Sequence, residues 1–144
     1  MADLSKYKKT DLFKRFLALL IDYIIASIIS IIPFIGWAIA GAYMLLRDGF
    51  DFDFMKHRSL GKQIMKLKVV NVENEGTAVD LKASAQRNWL LAVPYIITII
   101  PLLGVILFIP IGFVIYLIEG IKVSNDALGR RYGDEFAKTI VVEE

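Results

Sequence analysis

Two long apolar runs organise this chain. From Phe16 to Leu46 there are 31 residues and one charge, Asp22, and from Trp89 to Ile118 there are 30 residues and none. A membrane-crossing helix needs about 20 apolar residues, so each run is too long for one crossing and short for two. Both are interrupted in the same way, by IISIIPFIG from Ile28 and by IITIIPLLG from Ile96. Pro33 with Gly36, and Pro101 with Gly104, are turn formers at matched places. The pattern predicts two helices per run, joined by a very tight apolar turn. The first helix is expected over about residues 12–32 and the second over about 34–46. In the second run Pro110 and Gly112 offer a competing break.

The nine-residue stretches match at six positions, and each run is followed by an acidic residue and a glycine, Asp48–Gly49 and Glu119–Gly120. An internal duplication about an axis along the membrane normal fits this. Convergence fits it too, because Ile-rich helices broken by Pro and Gly are easily written twice.

The segment between the runs is polar. In RSLGKQIMKLK, Leu60, Ile64 and Leu67 recur at helical spacing with Lys62, Lys66 and Lys68 elsewhere. That predicts a short basic amphipathic helix whose three lysines contact the inner leaflet, against the plainer reading of a solvated face. KVVNVENEGTAVDL reads as a β-hairpin around ENEG, and TIVV near the C-terminus is a candidate partner for KVVNV. Asp80 is placed to cap a helix that enters the membrane past Arg87 and Trp89. Trp89 and Trp37 are expected at opposite interfaces.

Charge placement fixes the expected topology. All 17 Lys and Arg lie outside the two runs, five before the first, eight between and four after. Basic segments stay on the cytoplasmic side, so the N-terminus, connector and C-terminus belong there and the chain crosses an even number of times. The expected fold is an all-α membrane protein: four transmembrane helices as two hairpins with tight outer turns, plus a small cytoplasmic amphipathic helix and a β-hairpin. It forms one domain over residues 1–144, with membrane runs at about 12–47 and 88–120, a connector at 48–87 and a tail at 121–144.

Composition narrows the chemistry. The hydrophobic fraction is 56%, against about 45–50% for soluble domains. The net charge of +2 gives no basic footprint for nucleic acid. There is no cysteine and a single histidine, His57, and no metal-ligand spacing or phosphate loop, so no enzyme activity, cofactor or metal is expected. The polar N-terminus lacks the apolar core and cleavage site of a signal peptide.

Asp22 is the informative residue. A charge at a helix centre costs at least about 2.5–3.5 kcal/mol on insertion. Arg15, Ala18, Asp22, Ala26 and Ser30 form one small, polar stripe, which should face the bundle interior or a hydrated cavity. Arg15 lies two turns from Asp22, about 10.5 Å along the axis. Arg87, at the same membrane level, competes as its partner. The pair is either a register-fixing ion pair or a carboxylate that binds a cation or a proton.

These features together resemble the RDD family of membrane proteins, named for one arginine and two aspartates. KRFLALLIDYII supplies Arg15 and Asp22, RSLGKQIMKLKVV supplies Gly61 and Lys62, Arg87 precedes the next helix, and DEFAKTIVV supplies Asp134 and Thr139. The outer turns are shorter than an outer domain would need. The resemblance implies a bacterial-type inner-membrane protein and admits a role in transport, without supplying a substrate.

Two functions follow. In one, the chain is a small homo-oligomeric transporter or ion-coupling protein for a small ion or solute, with Arg15, Asp22, Arg87 and Asp134 as a cytoplasm-facing polar network. In the other it is a non-transporting scaffold or accessory subunit, in which the same residues are structural. In both, the lipid bilayer is its first partner.

Overall fold

The computed structural model describes residues 6–74, 77–100 and 102–144. The fold is mostly helical, with a small two-stranded sheet. The elements run α1 (Leu12–Ile29), α2 (Ile35–Leu46), α3 (Leu60–Ile64), β1 (Leu67–Asn71), α4 (Leu81–Ile97), α5 (Leu103–Asn125), α6 (Tyr132–Phe136) and β2 (Thr139–Glu143). Among the described residues, one helix, α5, is both long and apolar enough to cross a membrane by itself, and α2 is a shorter apolar helix. The signal-peptide reading falls partly on residues 1–5, outside the described residues.

Each apolar run is two helices, as its Pro and Gly require. Phe34 and Leu102 begin the second helices with φ of 61° and 62° and ψ of −66° and −60°. At Phe34 the Ile35 amide donates to the Pro33 carbonyl at 2.7 Å, which makes the bend a γ-turn, a rare and strained geometry. Pro101 itself lies outside the described residues. A Cβ on Gly36 would stand 2.2 Å from the Ile29 carbonyl oxygen, and one on Gly104 2.0 Å from that of Ile97. Glycine is therefore what lets the chain double back. The break falls here and not at Pro110, which is accommodated inside α5.

The correspondence between the two halves extends beyond the hairpins. Gly61 in α3 packs on the Ala18 carbonyl of α1, and Gly133 in α6 on the Arg87 carbonyl of α4; in each case a Cβ would be 1.9 Å from that oxygen. Each short helix ends at a lysine in left-handed conformation, Lys66 (φ 54°) and Lys138 (φ 53°), and leads into a strand. β1 and β2 pair antiparallel with Val69 opposite Val141. The flanking bonds obey the same exchange, since the Val72 amide donates to Lys138 and the Glu144 amide to Lys66, both at 2.9 Å. The two halves are thus related by an approximate two-fold axis through the sheet.

Three sequence expectations change. KVVNV does not fold back on TAVDL as a hairpin; it pairs with β2, which contains TIVV, the other expected partner. Glu75 and Gly76 of the ENEG turn lie outside the described residues, while 77–80 form no strand. The short amphipathic helix expected through Leu60, Ile64 and Leu67 is only one turn and a half, because Lys66 turns the chain into β1 before Leu67 can join a helical face. Lys62 does not face the inner leaflet: it is buried, 7% exposed, against Asp48. Lys66 and Lys68 remain exposed. As for α2, it stops at Leu46 because Arg47 and Asp48 turn inward, 1% and 0% exposed.

Candidate functional site

Polar and charged side chains converge where the inner ends of the helices meet α3 and α6. The stripe on α1 faces inward as its spacing required, with Ala18, Asp22 and Ala26 buried. Asp22 is 1% exposed. Its Oδ1 accepts from the Tyr43 hydroxyl and from the Gly61 amide, both at 2.9 Å. Its Oδ2 pairs with Arg47 Nη1 at 3.2 Å. Neither Arg15 nor Arg87, the two expected partners, takes this carboxylate.

Asp48 is the second centre. Its Oδ1 accepts from Lys62 Nζ at 2.7 Å and from the Ser59 amide at 3.2 Å, and its Oδ2 from Asn88 Nδ2 at 3.0 Å. Arg87 Nε stands 3.5 Å from the same oxygen. Ser59, whose hydroxyl caps α3, brings Lys62 to the carboxylate. Burial alone would raise the Asp48 carboxyl, but Lys62, Arg87 and Arg47 hold it well below the usual carboxylate range. Burial pushes Lys62 down to about 7 against the pull of Asp48, with Arg47 and Arg87 adding to the shift.

Asp134 is the third centre and collects three arginines. Arg15 Nη2 donates to Oδ2 at 2.9 Å, Arg87 Nη2 stands 2.8 Å from Oδ1, and Arg131 donates its backbone amide at 3.1 Å and its Nη2 at 3.2 Å. Burial works against ionisation of Asp134, yet Arg131, Arg87 and Arg15 hold it far below the ordinary value. Arg131, in spite of its burial, is raised by Asp134. Arg87 and Asn88 bridge the second and third centres, because Asn88 Oδ1 accepts from Arg131 Nη2 at 3.4 Å while its amide serves Asp48. Glu119 closes this end by accepting from the Tyr132 amide at 3.2 Å.

Of the residues expected from sequence, the structure therefore brings Arg15, Arg87 and Asp134 into direct contact and sets Asp22 beside them on its own partners. Arg47, Asp48, Lys62, Asn88 and Arg131 were missed as members. Asp48 carried one visible signal, the acidic–glycine pair that ends each run. Arg131 carried another, since it stands three residues before Asp134. Burial of paired charges of this kind is stabilised only where the partners are complete. Here Asp48 and Asp134 each have at least three donors, while Asp22 has two on Oδ1 and meets Arg47 at Oδ2 only as an ion pair.

Next to the network lies a cavity of about 630 Å³ between α1 and α5. Arg15, Asp22, Arg47, Lys62, Glu119 and Arg131 line it, with Phe16, Leu20, Ile109 and Phe113 among its apolar walls. Among the described residues no cluster of His, Cys, Asp and Glu is set to hold a metal ion. The sequence model of the RDD family matches residues 37–138. No curated protein and no solved structure matches the chain.

Proposed function

The chain belongs to the RDD family of membrane proteins, and on that premise we propose that it is a multi-pass protein of the inner membrane, crossing four times with both termini cytoplasmic, and that it acts as a non-transporting scaffold. The charge asymmetry supports the topology: every Lys and Arg lies away from the two apolar turns. So does the belt of exposed Phe, Ile and Leu on α1, α2, α4 and α5, far beyond what a soluble surface carries. Labelling tests it directly. The chain has no cysteine, so Lys68→Cys is a unique probe, and it should resist an impermeant maleimide in intact cells and react after lysis. Labelling from outside would remove the four-crossing layout.

One observation carries the scaffold reading: the carboxylates Asp22, Asp48 and Asp134 are all buried and directly paired. A carboxylate that must release its partner to take up an ion is disfavoured by so many fixed donors. Their partners come from α1, α2, α3, α4 and α6, so the network is the clamp that joins the two hairpins to the inner layer. In proteoliposomes, sodium, potassium and proton flux should equal that of empty vesicles, and Asp22→Asn should lower thermal stability. Flux above background that Asp22→Asn abolishes would overturn this. It would instead support the second reading, an ion-coupling protein, which the position of Asp22 in the cavity wall favours.

A further inference from the structure

The two-fold relation between the halves makes the cavity conspicuous. Exchange of the halves takes α1 to α4 and α2 to α5, so the seam between α1 and α5 corresponds to the seam between α4 and α2. The α2–α4 seam is closed: Tyr95 of α4 packs into the core with Ala40 and Met44 of α2, and Gly41 approaches it so closely that a Cβ there would be 3.2 Å from that of Tyr95. The residue of α5 sixty-eight positions after Gly41 is Ile109, and it lines the open seam. α1 and α5 meet edge to face through Tyr23 and Tyr116, with ring centroids 5.9 Å apart. Beside that contact the seam stays open as the cavity.

What lines the cavity is amphipathic. Phe16 and Phe113 are 58% and 68% exposed, so the apolar walls are continuous with the surface that faces lipid. The inner end is cationic. Arg15, Arg47, Lys62 and Arg131 outnumber Asp22 and Glu119. Those two carboxylates are already engaged, Asp22 by Tyr43, Gly61 and Arg47 and Glu119 by Tyr132. Donors are left over. Arg131 uses its Nε and Nη2 on Asp134 and Asn88, and its Nη1 makes no hydrogen bond among the described residues. Among the described residues the buried Arg47 Nε and the Tyr116 hydroxyl have no hydrogen-bond partner, and of the two carboxylates only Asp22 Oδ2 lacks one, meeting Arg47 as an ion pair. Unpaired buried donors beside a cavity cost free energy unless a ligand accepts from them.

We propose that this cavity is a lateral binding site for one anionic phospholipid of the inner leaflet, its phosphate held by Arg131 and the Tyr116 hydroxyl and one acyl chain lying between Phe16 and Phe113. The volume is that of a site for a drug-sized ligand, which suits a headgroup and the upper part of one chain, with the second chain left in the bilayer. With Asp48 and Asp134 behind the wall included, the five cations Arg15, Arg47, Lys62, Arg87 and Arg131 exceed the four carboxylates by one, so charge complementarity selects an anionic headgroup over a zwitterionic one, whose choline would add a cation.

The proposal rests on the four-crossing reading, which cysteine labelling tests separately; a chain with that topology upheld and no preference for anionic lipid fails here alone. The test is native mass spectrometry of the full chain after incubation with equimolar phosphatidylglycerol and phosphatidylcholine of matched chains. One phosphatidylglycerol should be retained per chain, about tenfold over phosphatidylcholine, a difference of about 1.4 kcal/mol. Gly120 lines the cavity, and a Cβ there meets nothing within 4 Å. Gly120→Phe should therefore fill the mouth and remove that preference while the lipid-free chain melts as before. Equal retention of the two lipids overturns the proposal, as does retention unchanged in Gly120→Phe. Inorganic phosphate that displaces the lipid completely would also overturn it, since the acyl chain would then contribute nothing.

Discussion

Gly61 and Gly133 make the same contact in the two halves of the chain, each pressed against a helix carbonyl oxygen at a distance no side chain permits. Gly61 also donates its amide to Asp22 at 2.9 Å. The close approach and the polar network are therefore one arrangement, because the carboxylate is reached only if α3 lies directly on α1. Gly61→Ala and Gly133→Ala should each destabilise the protein by about 1–3 kcal/mol or more, the cost of overpacking a site whose neighbours are backbone. Gly120→Ala, with open space around its Cβ, is the control and should leave the melting temperature in detergent unchanged. Equal melting of all three variants would mean that the short helices do not need this contact.

Removing a carboxylate from the third centre strands three arginines. Asp134→Asn should cost about 3–5 kcal/mol, as expected when one partner of a buried ion pair is deleted. Asp126→Asn is a fair comparison, because Asp126 pairs with Arg130 and Lys122 nearer the surface, where ion pairs contribute about 0–1 kcal/mol. Thermal unfolding of the two variants side by side checks the difference. A loss for Asp134→Asn no greater than for Asp126→Asn would show the network to be dispensable.

The response to alkali has a definite sign. Lys62 has a folded value of about 7 against 10.5 in the unfolded chain. Between those values the unfolded state binds the extra proton, so stability rises with pH across that window. Asp48 and Asp134 are ionised throughout it and contribute no slope. The denaturation midpoint should climb from pH 7 to pH 9, and Lys62→Met should flatten the climb. A midpoint that falls over this range, or a Lys62→Met slope equal to that of the parent, contradicts the assignment.

In acid the linkage has the same sign, because there too the unfolded state binds the extra protons. Asp48 and Asp134 have folded values held below the ordinary 3.8, so their contribution is complete above that value and is lost as pH drops through the folded ones. The protein should keep its fold at pH 5 and lose stability only below about pH 4, with tryptophan fluorescence as the readout. Unfolding with a midpoint near pH 5 would exclude these two carboxylates as the groups being protonated.

The outer turns carry strain that glycine would remove. Leu102 sits at φ 62° and is 77% exposed, so its side chain does little packing. Leu102→Gly should hold or raise the melting temperature, because a residue in a sparsely populated region costs about 1–3 kcal/mol. Leu102→Val, β-branched at the same φ, should lower it. The reverse order would show that the leucine side chain, and not the backbone, governs this turn.

Much of the fold was written in local patterns. The paired Pro and Gly marked both hairpin turns, the Ala18–Asp22–Ala26 spacing marked the buried face of α1, and Asp80 caps α4 as its position suggested, accepting from Ala83 at 2.7 Å. Pairing preferences over long separations were less legible. Asp22 has an arginine two turns away on its own stripe, yet it takes Arg47, because α2 returns beside α1 and delivers that side chain. Lys62 reads as a surface lysine when α3 is imagined longer. It turns inward because Ser59 caps a single short turn and Gly61 docks it on α1. The hairpin expected around ENEG lost to β2 for a related reason: strand patterning names a strand but not its partner, and the partner was fixed by the exchange of halves.

The order in which the network's members appear along the chain also has a consequence for how it enters the bilayer. By the time a growing chain has emerged as far as Lys62, Asp22 already has Tyr43, Arg47 and Gly61, and Asp48 already has Ser59 and Lys62. The first hairpin is thus supplied with counter-charges from its own half, before any residue of the second has been made. Asp134 arrives last and brings Arg131 with it, to meet Arg15 and Arg87, so the later hairpin acts as a latch on a unit that is already nearly neutral.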